Sequence, residues 1–214
     1  MIDKIRHSPD KCNLAPPADV VAGAKSVLGS IDLDPYSTVD INRLVGASRY
    51  YDREEETLED IVRKEWYADD VHSSSKRVFV GAPTGAALTR RLLNKTLKEY
   101  RAGHIEHAVV WIAHNEAIIR APWIWDFPVC IPFKRLRPMW YDDELENFRN
   151  VSPSDWSAII YLPPVQHDQF QTGLSRFHNV FHSMGRIVFN EYSSENDWEK
   201  SYQISCRKAY DFHA

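Results

Sequence analysis

What most constrains this chain is an alternation of short apolar runs with longer stretches that are apolar on one helical face. Val78-Phe79-Val80 after Arg77, and Ala108-Val109-Val110-Trp111-Ile112-Ala113, are runs of the first kind, bounded by turn residues. Short runs with no polar alternation are the mark of strands buried on both faces. Leu88, Leu92, Leu93 and Leu97 follow the first run at helical spacing, as do Phe170, Leu174, Phe177, Val180, Phe181 and Met184 near the end. Pro16-Pro17 opens a further helix through ADVVAGAKSVL that stops at Gly29, since proline is tolerated in a first turn and glycine ends helices. Ser30 to Leu33 then reads as a strand ending at Asp34-Pro35, and Val129–Phe133, Ala158–Leu162 and Arg186–Tyr192 as three more. Residues 38–66 are mixed, with an acidic run at Glu54–Glu56 and a helix near Leu58–Trp66. His72–Lys76 reads as a polar loop, Ile118–Trp125 as a helix interrupted by Pro122, and Lys134–Pro153 as an irregular charged segment. Strands alternating with helices at this spacing predict an α/β fold whose mostly parallel sheet is covered on both faces.

At 214 residues the chain has the length of one domain, 1–214, able to bury roughly 70% of its unfolded surface. A formal charge of −4 runs against a dedicated nucleic-acid binder, whose affinity comes largely from phosphate contacts; one basic face would still satisfy the physics. Cys12, Cys130 and Cys206 have neither metal-ligand spacing nor an even number for a disulfide framework, so no metal and a reducing cytoplasm are expected. MIDKIRHSPDK has no apolar core for a signal peptide, and no apolar run reaches the ~18 residues of a membrane span. Oligomeric state is left open.

Ligands of open parallel sheets bind at the carboxyl ends of the strands. Asp32 and Asp34, the Gly81–Thr84 turn, and Ala113-His114-Asn115-Glu116 are all expected at such ends. A carboxylate there can accept from a ribose hydroxyl or a cationic amine, although Asp-Pro after a strand is more often a solvated turn. The order around it adds weight. Ala15-Pro16-Pro17 and a helix ending in Leu28-Gly29 lead to Ile31-Asp32-Leu33-Asp34-Pro35-Tyr36-Ser37. Asn42, Val45, Ala47, Tyr50-Tyr51, Leu58 and Trp66 come next, then the strand RVFVGAPTG, AVVWIA, PVCIPFKRLRP and SAIIYLP.

In that order, over roughly residues 8–190, the chain resembles the phage-type DNA N6-adenine methyltransferases. The resemblance implies a three-layer Rossmann-like methyltransferase fold that binds S-adenosylmethionine and acts on a flipped DNA base. It puts Pro16, Asp32, Asp34 and Pro35 at the cofactor, and Gly81, Ala82, Pro83 and Thr84 where the family keeps Asn-Pro-Pro-Tyr. The departures are plain. Ala15-Pro16 replaces a Thr-Pro whose hydroxyl bonds the cofactor, and Tyr36 replaces a small residue. Gly81 offers no acceptor for the adenine amine, and Thr84 no ring to stack on the base. Losing one preorganised polar group costs about 10²–10³ in rate, and losing a stack about 1–3 kcal/mol. An enzyme with altered chemistry, a catalytically silent relative kept for DNA or protein binding, and a related nucleotide-modifying enzyme all stay open.

Lys134, Arg135, Arg137 and Trp140 combine cations with an aromatic and form the best DNA-binding patch; Arg90-Arg91 with Lys95 and Lys98 is a second cluster. Charge runs are usually solvated faces. Trp111, Trp123 or Trp125 could replace the missing ring, though core packing is the commoner role of such residues. His114 is a candidate acid or base, more often structural at such a place. His178 and His182 at i, i+4 lack the glutamate of a zincin, so a surface pair is the plainer reading.

Overall fold

The structure, a computed structural model, describes residues 14–66, 77–82, 85–114, 116–152, 155–164 and 167–189. The Pro83-Thr84 half of the tetrapeptide, Asn115, Cys12, Cys206 and the expected 72–76 loop lie outside the described residues.

Helix α1 (Ala18–Leu28) opens after Pro17, and Gly29 closes it with φ 80°, a left-handed conformation natural to glycine. Strand β1 (Leu33–Ser37) begins later and runs further than its Asp-Pro pair suggests, so Asp34-Pro35 lies within the strand rather than after it. Pro35 has no N–H for the ladder, and the pairing with β2 (Arg49–Asp52) shifts register between Asp34 and Ser37. Between them α2 (Val39–Val45) is capped by the Thr38 hydroxyl, which accepts from Ile41 N–H, and ends at the left-handed Gly46. Helix α3 (Leu58–Arg63) starts with a reciprocal Thr57–Asp60 capping box.

Strand β3 (Arg77–Ala82) and strand β4 (His107–Ile112) flank α4 (Ala86–Arg101). Helix α5 (Glu116–Arg120) ends just short of Pro122, where a 3₁₀ turn (Pro122–Asp126) takes over, because proline cannot continue the hydrogen-bond ladder. Strand β5 (Val129–Pro132) comes next. The stretch read as irregular contains a hairpin, β6 (Met139–Asp142) and β7 (Asn147–Asn150), whose mixed polarity hides its period. Strand β8 (Ala158–Leu162), helix α6 (His167–Phe181) and strand β9 (Gly185–Val188) complete the order.

The main sheet has seven strands in the order β2-β1-β3-β4-β8-β5-β9. Pairings from β2 to β4 are parallel, while β4–β8, β8–β5 and β5–β9 are antiparallel. Only β8 and β9 therefore oppose the common direction. The expected mostly parallel core is present, inside a sheet that is mixed as a whole.

Alternation along the strands sorts the core into two clusters. Val78, Val80, Val110 and Ile160 pack with α4 residues such as Leu92 and Leu93 and with Ile61 of α3. Phe79, Val109, Trp111 and Tyr161 pack with Val20 and Ala24 of α1 and with Phe177 and Phe181 of α6. At Gly23 a Cβ would lie 2.6 Å from Phe181 Cζ, so this glycine lets α1 and α6 close together. No helix among the described residues is long and apolar enough to cross a membrane.

Candidate functional site

From β1 the chain steps outward to β2 on one side, then returns to β3 and β4 on the other. Such a reversal leaves a crevice at the carboxyl ends of the two strands it separates, and ligands of open α/β sheets bind there. Here those strands are β1 and β3. Their ends supply Tyr36 and Ser37 on one side and Gly81 and Ala82 on the other.

Asp34, the second residue of β1 and three residues before Ser37 at its carboxyl end, is the chemically notable buried group of the strand. It is 1% exposed, its Oδ1 accepts from the Tyr36 N–H at 3.2 Å, and its Oδ2 has no hydrogen-bond partner. Burial pushes its carboxyl from 3.8 up to about 6, against the opposing pull of the Tyr36 N–H, the Ser37 hydroxyl and the Arg53 guanidinium. A buried carboxylate oxygen with nothing bound to it is costly unless something else completes it. A ligand amine or hydroxyl is the chemistry that does so.

Asp32 is not part of this edge. It stands at the amino end of β1, where Arg77 grips it through Nε and Nη2 at 3.0 and 2.7 Å and through the Arg77 N–H at 3.0 Å. Asp34, two residues on, is the second residue of β1, beside Tyr50 of β2 and one position past the Leu33–Val78 pair with β3. Pro35 is buried within β1.

Pro16 does meet the tetrapeptide position. A Cβ on Gly81 would lie 2.6 Å from Pro16 Cγ, closer than such atoms come in folded proteins. The proline thus occupies the space that a side chain at 81 needs. Ala82 is fully buried, and its carbonyl accepts from Ala113 N–H at 3.4 Å. Since Pro16 lies over the end of β3, the amino end of α1, which no side chain caps, stands at the same edge. Its unbonded N–H groups and the helix dipole give that end a positive potential.

Two further groups carry no signal in the sequence. Asp52 ends β2 and pairs in register with Ser37, its Oδ1 accepting from Glu54 N–H at 2.9 Å. Arg53 is next, with its guanidinium 5.2 Å from the Tyr36 ring centroid and its N–H bonded to the Ser37 carbonyl at 3.0 Å. Arg49-Tyr50-Tyr51-Asp52 is too short and too polar to announce a strand. The hydrogen-bonding partner β1 decides it.

Beyond β4, His114 accepts the Glu116 N–H on Nδ1 at 3.2 Å, which leaves the neutral ring's proton on Nε2. Trp111 is core, with an indole N–H that has no acceptor; Trp123 is half-buried and Trp125 exposed. Lys134, Arg135 and Arg137 are exposed, whereas Trp140 is half-buried in β6 and Arg135 lies over Trp156 instead, 5.9 Å from its ring centroid. The Arg90-Arg91 cluster does not form a basic face: Arg91 pairs with Glu59, and Lys95 is buried against Glu99. His178 and His182 stack on the surface with ring centroids 5.5 Å apart. No group of three metal-ligating side chains occurs among the described residues.

The fold defines an α/β protein with a mixed seven-stranded sheet, a switch point between β1 and β3, and one incompletely bonded carboxylate buried in β1. Comparison of the chain with protein-family models, curated proteins and solved structures returned no match.

Proposed function

We propose that the chain is a three-layer, Rossmann-like methyltransferase domain that binds S-adenosylmethionine between the carboxyl ends of β1 and β3, with DNA as its partner. The observation that carries this reading is Asp34, a buried carboxylate with an open oxygen in β1, one of the two strands that flank the switch point. An orphaned acidic oxygen suits a ligand that brings an ammonium group and ribose hydroxyls. Asp34 would accept from one of these, Asp52 would accept from the ribose at the end of the second strand, and the positive end of α1 would face the carboxylate of the ligand. The cofactor, when bound, supplies an electrophilic methyl group.

The chain's own residues limit the chemistry available to that methyl group. Polarising an adenine amine needs an acceptor side chain, and position 81 has none. Pro16 fills the place where one would begin. That contact favours a second reading, a domain that keeps the cofactor site but is silent toward adenine N6.

Calorimetric titration with S-adenosylmethionine and with its demethylated product tests the first step. Binding of both, weakened at least tenfold by Asp34→Asn, is the expected result; no heat from either ligand ends the proposal. Transfer of labelled methyl groups to DNA then divides the two readings. Incorporation supports the enzyme, and binding without incorporation supports the silent domain.

A further inference from the structure

Strand β5 points toward the ligand edge of the sheet, so the segment joining it to β8 leaves from that edge and returns to it. This segment is tied down at its middle: Ala15 and Met139 exchange backbone hydrogen bonds of 2.7 and 3.0 Å, and the Arg43 guanidinium donates to the Tyr141 hydroxyl at 2.7 Å. Its two ends carry a distinctive surface. Phe133 is 67% exposed and Trp156 42% exposed, and the Arg135 guanidinium sits 5.9 Å from the centre of the Trp156 ring. Lys134 and Arg137 are exposed beside them, and among the described residues no carboxylate pairs with Lys134, Arg135 or Arg137. Of the segment's acids, Asp143, Glu144 and Glu146 occupy the turn between β6 and β7, Asp142 pairs with Arg149, and Asp155 adjoins Trp156.

We infer that Phe133, Lys134, Arg135, Arg137 and Trp156 form a binding surface for single-stranded DNA, on which exposed bases stack. The inference rests on the proposed function for the choice of DNA, and on the geometry for the choice of a single strand. Three cations on a chain of net charge −4 fall well short of the roughly 6–10 phosphate contacts that give a duplex binder its affinity. Stacking on exposed rings supplies the difference, is tolerant of sequence, and requires bases that are not held in a duplex. An arginine already lying over one ring extends the same platform, since its plane can stack on a base as well.

Fluorescence anisotropy of labelled oligothymidylate with the full chain provides the test, with a duplex and an RNA oligonucleotide of matched length as the other arms. The single DNA strand is expected to bind at least tenfold more tightly than the duplex. Its affinity should fall with salt at a logarithmic slope of about −2, as three phosphate contacts dictate. Trp156→Ala is expected to weaken it about tenfold or more, Trp156→Phe to restore most of the loss, and both variants to keep the parent melting temperature. Equal binding of duplex, tighter binding of RNA, or an unchanged affinity in Trp156→Ala overturns the inference. Titration of S-adenosylmethionine into the same preparation keeps the two ideas separate. Cofactor binding without oligonucleotide binding defeats this surface alone, and oligonucleotide binding without cofactor defeats only the cofactor site.

Discussion

At Gly81 the absence of a side chain is a packing requirement. A Cβ there would meet Pro16 Cγ at 2.6 Å, with Phe79 at 3.6 Å beneath, so even alanine must push the proline or the strand. Overpacking of this kind costs about 1–3 kcal/mol. Gly81→Ala is therefore expected to lose that much in urea unfolding, and Pro16→Ala, which removes the opposing Cγ, to recover part of it in the double variant. Strict additivity of the two single losses would show that the contact is not what position 81 is constrained by. An asparagine introduced at 81 meets the same obstacle, so it requires a change at 16 to be informative. The resemblance in sequence placed Pro16 and Gly81 in one site. It had no means of showing that one excludes a side chain on the other, because that depends on a distance between strand and helix entry.

Helix α4 holds a charge cluster that its sequence disguises as a basic surface stripe. Lys95 and Glu99 are both buried and paired, the Glu99 carboxylate also meets His104 Nδ1 at 2.7 Å, and the Lys95 ammonium lies 5.8 Å from the Trp66 ring centroid. Removing one partner of a buried pair leaves the other uncompensated, at about 3–5 kcal/mol, whereas replacing both with apolar residues is often neutral. Glu99→Gln should thus lower unfolding free energy by that amount, and Lys95→Met with Glu99→Leu should return it to within about 1–2 kcal/mol of the parent. A double variant as unstable as the single one would mean the cluster matters through its hydrogen bonds rather than its charge. Elements of this fold are legible in proportion to how far local pattern decides them. Strands β3, β4 and β8 have unbroken apolar runs, and α4 and α6 have regular apolar faces, so their burial is written in order along the chain. Strand β2 is polar and short and exists because β1 supplies its hydrogen bonds, and the β6–β7 hairpin, equally short and polar, is held by its own ladder rather than by an apolar pattern. The bounds of β1 escape a local reading because Asp-Pro signals a turn, while the parallel neighbours on both sides hold it extended.

Across the whole sheet, two buried titratable groups pull stability in opposite directions with pH. Asp34 in β1 is raised from 3.8 to about 6, chiefly by burial. His107 begins β4 at the amino edge and is lowered from 6.5 to about 4, by burial first and then by the nearby Arg77 charge. Between these values the folded chain holds a proton on Asp34 that the unfolded chain has released, so stability falls as pH rises from about 4 to 6. Over nearly the same range the unfolded chain holds a proton on His107 that the folded chain has refused, so stability rises with pH by that route. Each change is roughly 3 kcal/mol, at about 1.4 kcal/mol per decade of proton affinity, and the two nearly cancel. The ligand-free protein should accordingly show little net slope from this pair between about pH 4.5 and 6. Asp34→Asn leaves His107 unopposed, and its unfolding free energy should climb by about 2 kcal/mol across that interval. His107→Gln leaves Asp34 unopposed and should decline by a similar amount. Urea unfolding of both variants at the two pH values measures the slopes directly, and slopes of the same sign would refute the cancellation.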